Sequence, residues 1–284
     1  MSQEKLAELL DGISELPTLP TVYIKINRLL QSSQSNASQI SRIIESDQAI
    51  SSKVLRLVNS SFFGFSRKIT QINQAVVLLG FNAIRSAVLS ISVLESFQST
   101  KNSIFDRQKF WEHSIAVGSI ARHLAKELRV GMDEEAFSCG ILHDIGKLVL
   151  DQVLPEKFKQ ILETVEQRQC TILEAERLVI ETDHCEIGEY LLEHWSLPHM
   201  LVESVALHHS PSILRSNPQM VSLVHLADIL ARKLEIGYGG DPYTHEIHPF
   251  ALEELDIVPD DLEELIAHIG EKLKESADLL ALVH

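Results

Sequence analysis

Apolar residues recur at spacings of three and four along nearly the whole chain, and no sustained one-on, one-off alternation interrupts them. That period predicts helices throughout and no sheet. A short amphipathic helix is expected over 1–12, followed by LPTLP (16–20), whose two prolines set an extended turn. A helix over about 21–33 runs into the polar stretch SSQSNAS, where Ser35, Asn36 or Ser38 can cap the next helix, which carries Ile40, Ile43 and Ile44. The next is expected from Ala49 to Val58, ending in the turn NSSFFGFSRK. A helix over 71–80 should stop at Gly80, and FNAIRSAVLSISVLESF begins a longer one. Phe62, Phe63 and Phe65 in the turn read as packing at a helix–helix junction. At the other end, residues 252–283 read as one leucine-rich amphipathic helical tail that closes the second half of the molecule.

Composition divides this pattern in two. Residues 1–105 hold ten Lys/Arg against seven Asp/Glu, whereas 106–284 hold fifteen against thirty-three, so the overall charge of −15 lies in the second part. None of the thirteen histidines precedes His113. A lobe boundary is therefore expected near 105, with a helical lobe over 1–105 bridged by helix to a second over 106–284. An acidic second lobe and scattered cations in the first speak against nucleic acid as a partner. No run of about 18 uncharged apolar residues suggests a membrane span, and the N-terminus lacks the basic-then-apolar order of a signal peptide. Three isolated cysteines (Cys139, Cys170, Cys185) form no CxxC pair. That usage suits a reducing compartment, and a cytoplasmic location is expected.

Candidate chemistry lies where polar residues interrupt apolar stripes. In CGILHDIGKLVL (139–150), read as a buried helical segment, His143 and Asp144 stand side by side with Lys147 one turn later. His113 shares a helical stripe with Ala116, Val117, Ile120 and Leu124, while His123 falls off it and is expected at the surface. Asp228 sits in VSLVHLADILARKL, apolar nearly all round; His184 opens HCEIGEYLLEHW; and the pair His208–His209 closes a helix ahead of Ser210–Pro211. A buried charge normally sits with a partner or an ion. Imidazole and carboxylate together suit a divalent transition metal (Fe, Mn, Zn, Ni or Co), one ion or two if Asp144 bridges. Lys147 would then steady a phosphate or pair with Asp144. His194, His199, His245 and His248 read as loop or packing residues.

The order His, His-Asp, final Asp on helices resembles the HD superfamily of metal-dependent phosphohydrolases. His184 and His208–His209 are similar to the fuller ligand set of the HD-GYP phosphodiesterases, but no GYP-type sequence follows, since the chain continues SPSILRSNPQ. The better resemblance is to the HDOD (HD-related output domain) family. It is carried by LPTLPTVYIKINRLL, IIESDQAISSKVLRLVNSSFFG, KITQINQAVVLLGFNAIRSAVL, FWEHSIAVGSIARHLA, AFSCGILHDIGKLVL, HCEIGEYLLEHWSLP, ALHH and VHLADILA, most of residues 15–234. Gln48 stands where the family commonly has proline. The resemblance implies an all-α cytoplasmic bacterial signalling module that works through a protein partner or a nucleotide or other phosphate-containing ligand. Catalysis is not established for such modules. An active member would be a phosphohydrolase with Asp144 and Lys147 in catalytic roles.

Overall fold

The computed structural model describes residues 16–30, 35–60, 63–97, 105–213 and 215–275. Among these the structure is all helical, with no strand. Helices α1 (Thr21–Leu30), α2 (Ala37–Glu45) and α3 (Gln48–Val58) each pack on α4 (Ile72–Ser96). Their boundaries follow local chemistry. Asn36 caps α2 in a reciprocal box with Gln39, and Asp47 caps α3 through the Ile50 amide, so α3 begins at Gln48 itself. Gly80 has φ 82° and ψ 175° inside α4, a conformation open to glycine, and it splits the element into the two stretches its sequence suggests. By length and apolarity α4 could cross a membrane, but 61% of its most apolar window is buried inside the protein. It is a core helix.

The second group comprises α5 (Arg107–Glu127), α6 (Asp133–Leu142), α7 (Ile145–Val153), α8 (Pro155–Arg168), α9 (Ile172–Ile180), α10 (His184–His194), α11 (His199–Leu207) and α12 (Pro218–Lys233). Helix α5 lies along α6 and α12, while α10 packs on α7 and α11. The two groups share one buried apolar cluster running from Leu19 to Ile269. Helix α4 contacts α6, where the Ser86 hydroxyl donates to the Glu134 carbonyl (2.8 Å) and Arg85 pairs with Glu135. The Trp195 indole N–H donates to the Pro17 carbonyl (2.7 Å), which ties the LPTLP segment to the second group.

Some expectations fall on residues that are not described, and others are corrected. Residues 98–104 and the expected helix over 1–12 lie outside the described residues, as does Phe62. At the junction the described ends are non-helical: α4 stops at Ser96 with Phe97 at φ −113°, ψ 50°, and Asp106 caps α5. The described part of the tail is helical, in two pieces. After α13 (Pro249–Glu254) the chain turns at Asp256 (φ 54°), passes a 3-10 turn at Pro259–Asp261 and enters α14 (Leu262–Glu275), which buries Ile269 and packs on α5. Asp256 in the left-handed region and the ring of Pro259 end the helical hydrogen-bond ladder there. His123 is half-buried rather than superficial, with Nδ1 2.7 Å from the Ser119 carbonyl oxygen.

The approach of α7 to α10 depends on Gly146. A Cβ there would stand 2.0 Å from the His184 carbonyl oxygen, so any side chain forces the two helices apart. Gly146→Ala is expected to destabilise the protein by about 1–3 kcal/mol, the usual cost of overpacking, read as a lower midpoint in urea denaturation at unchanged slope. An unchanged midpoint would show that α7 and α10 are not held in this register.

Candidate metal centre

The segment GILHDIGKL reads as continuous helix, but it breaks in the middle. Helix α6 ends at Leu142, His143 is its C-cap, Asp144 adopts φ −101° and ψ 12°, and α7 starts at Ile145. The break swings both side chains toward one interior point, where each is fully buried. His143 Nδ1 lies 2.7 Å from the Gly140 carbonyl oxygen. A carbonyl can only accept, so Nδ1 carries the proton and Nε2 presents a lone pair.

The same device repeats around the centre. His184, the first residue of α10, donates Nδ1–H to the buried Glu176 carboxylate on α9 (2.6 Å), which also accepts the His184 amide (2.9 Å). His208, the C-cap of α11, has Nδ1 2.9 Å from the Val205 carbonyl oxygen. His113 on α5 directs Nε2 to within 3.0 Å of Asp228 Oδ1 on α12. Asp144 Oδ1 lies 3.2 Å from His184 Nε2 and 3.6 Å from His208 Nε2, while its Oδ2 lies 3.2 Å from His143 Nε2. The His209 ring lies beside those of His208 and His184, with centroids 4.1 and 5.2 Å away. All seven expected metal-site residues, His113, His143, Asp144, His184, His208, His209 and Asp228, thus meet in one region.

These approaches are short, yet none is aligned as a hydrogen bond through Nε2. The Nε2 atoms of His113, His143, His184, His208 and His209, together with Asp144 Oδ1, are buried without a hydrogen-bond partner among the described residues. An unsatisfied buried polar atom costs about 1–3 kcal/mol. Six in one cluster would cost on the order of a domain's whole stability. Protonation states point the same way. Burial lowers His113, pushes His208 down to about 4 and holds His209 well below its usual range. Burial would raise Asp144 and Asp228, but His143 and Lys147 beside the first, and Arg232 with His113 beside the second, hold both well below the carboxylate range. Burial would also lower His184, but the Glu176 carboxylate outweighs it and holds that imidazole well above its usual range. Burial thus favours neutral imidazole at His113, His208 and His209, and their neighbours keep Asp144 and Asp228 as carboxylates, the forms that metals bind. Their ligand atoms fall into overlapping sets, each within 4.8 Å: His113, His143 and Asp228; His143, Asp144 and His208; and His184, Cys185, His208 and His209. This donor set fits a first-row divalent ion.

Lys147 is fully buried and already engaged, donating to Asp144 Oδ2 (2.6 Å) and to the Gly239 carbonyl (2.9 Å). Of its two expected roles, pairing with Asp144 is the one observed. Four other side chains near the centre escape the sequence reading. Glu176 orients His184. Arg232 pairs with Asp228 (3.0 Å) and Asp241 (3.3 Å). His225 sets Nδ1 2.7 Å from the His208 carbonyl and accepts the His248 amide at Nε2 (3.0 Å). His245, expected as a plain loop residue, brings its ring 4.7 Å from that of His209. Glu176 had a visible signal, an acid on the buried Ile172–Ala175 side of α9. His194 ends α10 and His199 is exposed, paired with Glu203 at 3.0 Å, away from the cluster.

A helical bundle with buried imidazoles and carboxylates gathered on an adjacent His-Asp pair defines an HD-type protein. Residues 16–211 match the HDOD domain model, and the chain belongs to the HDOD family. An uncharacterized protein of Treponema pallidum (strain Nichols) is 27% identical over 239 residues, 84% of this chain. The chain spans about half the length of that relative, 45% of it. The crystal structure of an HDOD domain protein of unknown function from Geobacter sulfurreducens is similar at TM-score 0.77 and 25% identity, covering 94% of this chain and 97% of that one. A candidate phosphohydrolase from Shewanella amazonensis SB2B shares the fold at TM-score 0.77 and 24% identity, with 98% of each chain covered.

Glu176→Gln removes the carboxylate charge behind His184 while leaving a group of the same shape. It is expected to weaken divalent-ion affinity about 10–100-fold, as loss of a carboxylate behind a ligating histidine does. Competition with a chromophoric chelator measures this, and unchanged affinity would remove His184 from the ligand set.

Proposed function

We propose that the protein is a metal-binding regulatory module of bacterial signal transduction, cytoplasmic, and acting by binding a protein partner or a phosphate-containing ligand rather than by turnover. The observation that carries this reading is the set of five buried imidazole nitrogens without a hydrogen-bond partner, four of them within 3.6 Å of an Asp144 or Asp228 oxygen. On this reading His113, His143, Asp144, His184, His208, His209 and Asp228 hold one or two first-row divalent ions. The ions join α5, the α6–α7 break, α10, α11 and α12 into one unit.

Two observations weigh against catalysis as the main activity. Lys147, the cation nearest the His-Asp pair in sequence, spends its charge on Asp144 and its second contact on Gly239. The donors themselves are nearly inaccessible, with none of His113, His143, Asp144, His184, His208 or Asp228 more than 2% exposed. A phosphohydrolase is the second reading, favoured by a cavity that reaches His113 from the surface. An ion bound there would polarise a phosphoryl oxygen and acidify a bound water.

Wild type and Asp144→Ala, each assayed against phosphomonoesters, phosphodiesters and cyclic nucleotides with added Mn(II), separate the readings. The expected outcome is ion uptake by wild type alone and no hydrolysis above the Asp144→Ala background in either. Turnover by wild type that disappears in Asp144→Ala would overturn the regulatory reading in favour of the hydrolase.

A further inference from the structure

The loop after α12, residues 235–248, is pinned at both ends over the metal centre. In its first part the Tyr238 amide donates to the Lys109 carbonyl (2.9 Å), Lys147 to the Gly239 carbonyl (2.9 Å), and Arg232 to the Tyr243 carbonyl (3.2 Å). Asp241 accepts the Ile172 amide there (3.1 Å). At the far end the His248 amide donates to His225 Nε2 (3.0 Å), and the other nitrogen of that ring donates to the His208 carbonyl (2.7 Å). The loop is thus hung from the turn that carries His208 and His209.

Between these anchors stands His245. Its ring centroid lies 4.7 Å from that of His209. Neighbouring rings among the expected ligands are 4.1 to 5.5 Å apart, so His245 stands to His209 as the ligands stand to one another. The Nε2 atoms of both rings are buried without a hydrogen-bond partner among the described residues. Packing alone gives no reason to strand two such nitrogens, each at about 1–3 kcal/mol. Both residues are half-buried, whereas His143, His184 and His208 are fully enclosed, so the pair lies at the outer side of the cluster. The surrounding charge suits a cation. Asp228, Asp241 and Glu174 act on His245 against Arg232 and Lys147. Asp144, paired with Lys147, and Glu235, on the wall of the cavity under the loop, add to the acidic side.

We propose that His245 is a further ligand, delivered by the loop, to the ion held at His209, and that ion binding thereby fixes the loop over the centre. The inference rests on the metal-centre reading and adds to it the side chain that ties the cover to the ion. His209 shares a close donor set with His184, Cys185 and His208, whereas His245 belongs to none of the close sets. It therefore joins last, as the donor that the loop brings in once an ion occupies His209. A neutral imidazole suits this part, because it adds a nitrogen ligand without adding charge. The order of residues 235–248 then follows the occupancy of the centre.

The test reads ion affinity and loop exchange on the same full-length protein. Mn(II) and Zn(II), each alone, are titrated in competition with a chromophoric chelator, and hydrogen exchange of the amides of residues 243–247 is followed by mass spectrometry with and without the ion. In wild type the ion is expected to slow exchange in this segment. His245→Ala is expected to bind the ion about tenfold more weakly, equivalent to about 1.4 kcal/mol, and when saturated to exchange in this segment as fast as the stripped protein. His245→Gln keeps a polar side chain but removes the imidazole nitrogen. It is expected to behave in the same way and serves where His245→Ala fails to melt cooperatively. Unchanged affinity in these variants, slowing that survives the substitution, or exchange in wild type that ignores the ion would each overturn the inference while leaving the metal centre standing. A wild type that takes up neither ion would overturn both.

Discussion

The second half of this molecule is organised around one constraint: buried imidazole nitrogens and carboxylate oxygens that approach each other without aligned hydrogen bonds between them. His143 Nε2, His184 Nε2 and His208 Nε2 all come within 3.6 Å of an Asp144 oxygen, and His113 within 3.0 Å of Asp228. Groups so placed are costly unless something accepts their lone pairs together. A divalent ion does so with one body. The helix break at Asp144, the glycine at 146 and the close packing of α7 against α10 all serve that convergence.

Around the donors stands a second layer that decides which nitrogen of each ring faces inward. Backbone carbonyls of Gly140 and Val205 take the Nδ1 protons of His143 and His208, and the Glu176 carboxylate takes that of His184. Each bond fixes a tautomer, and the partnerless Nε2 atoms are the consequence. His143 with Lys147 beside Asp144, and Arg232 with His113 beside Asp228, keep the carboxylates ionised in a place where burial alone would protonate them. Both cations also reach the loop over the centre, Lys147 through Gly239 and Arg232 through Tyr243. Charge at the ligands and position of the cover are thereby linked through the same two side chains.

Much of this was legible in the sequence because helical amphipathicity is local. The stripes that bury Ile40, Ile44, Val117 and Ile120 follow from spacing alone, as does the interruption at Gly80, while the cap expected at Ser35, Asn36 or Ser38 falls on Asn36. The metal-site residues stood out because each is polar on an apolar stripe. What escaped depends on tertiary contact. Asp144 leaves helical geometry in a segment whose local pattern favours helix throughout, at the point where it meets His184 of α10 and His208 at the end of α11. Glu176 showed itself only as an acid on the buried side of α9, and its bond to His184 depends on how α9 meets α10. The pairing of Arg232 with Asp241 and the seat of His245 beside His209 depend on how a loop folds back, which no periodicity encodes. In the tail the leucines keep a helical period across Asp256 and Pro259, where the backbone turns between two helices.

X-ray absorption at the metal K-edge, on protein purified without chelator, tests the metal centre most directly because it reads the donors themselves. The account predicts a bound first-row divalent ion with nitrogen and oxygen neighbours at about 2.0–2.2 Å, the usual range for histidine and carboxylate ligands, and the outer-shell scattering of several imidazole rings. An edge no stronger than buffer, or a shell dominated by sulfur with no imidazole signature, would contradict it. The buried histidines would then be a structural cluster.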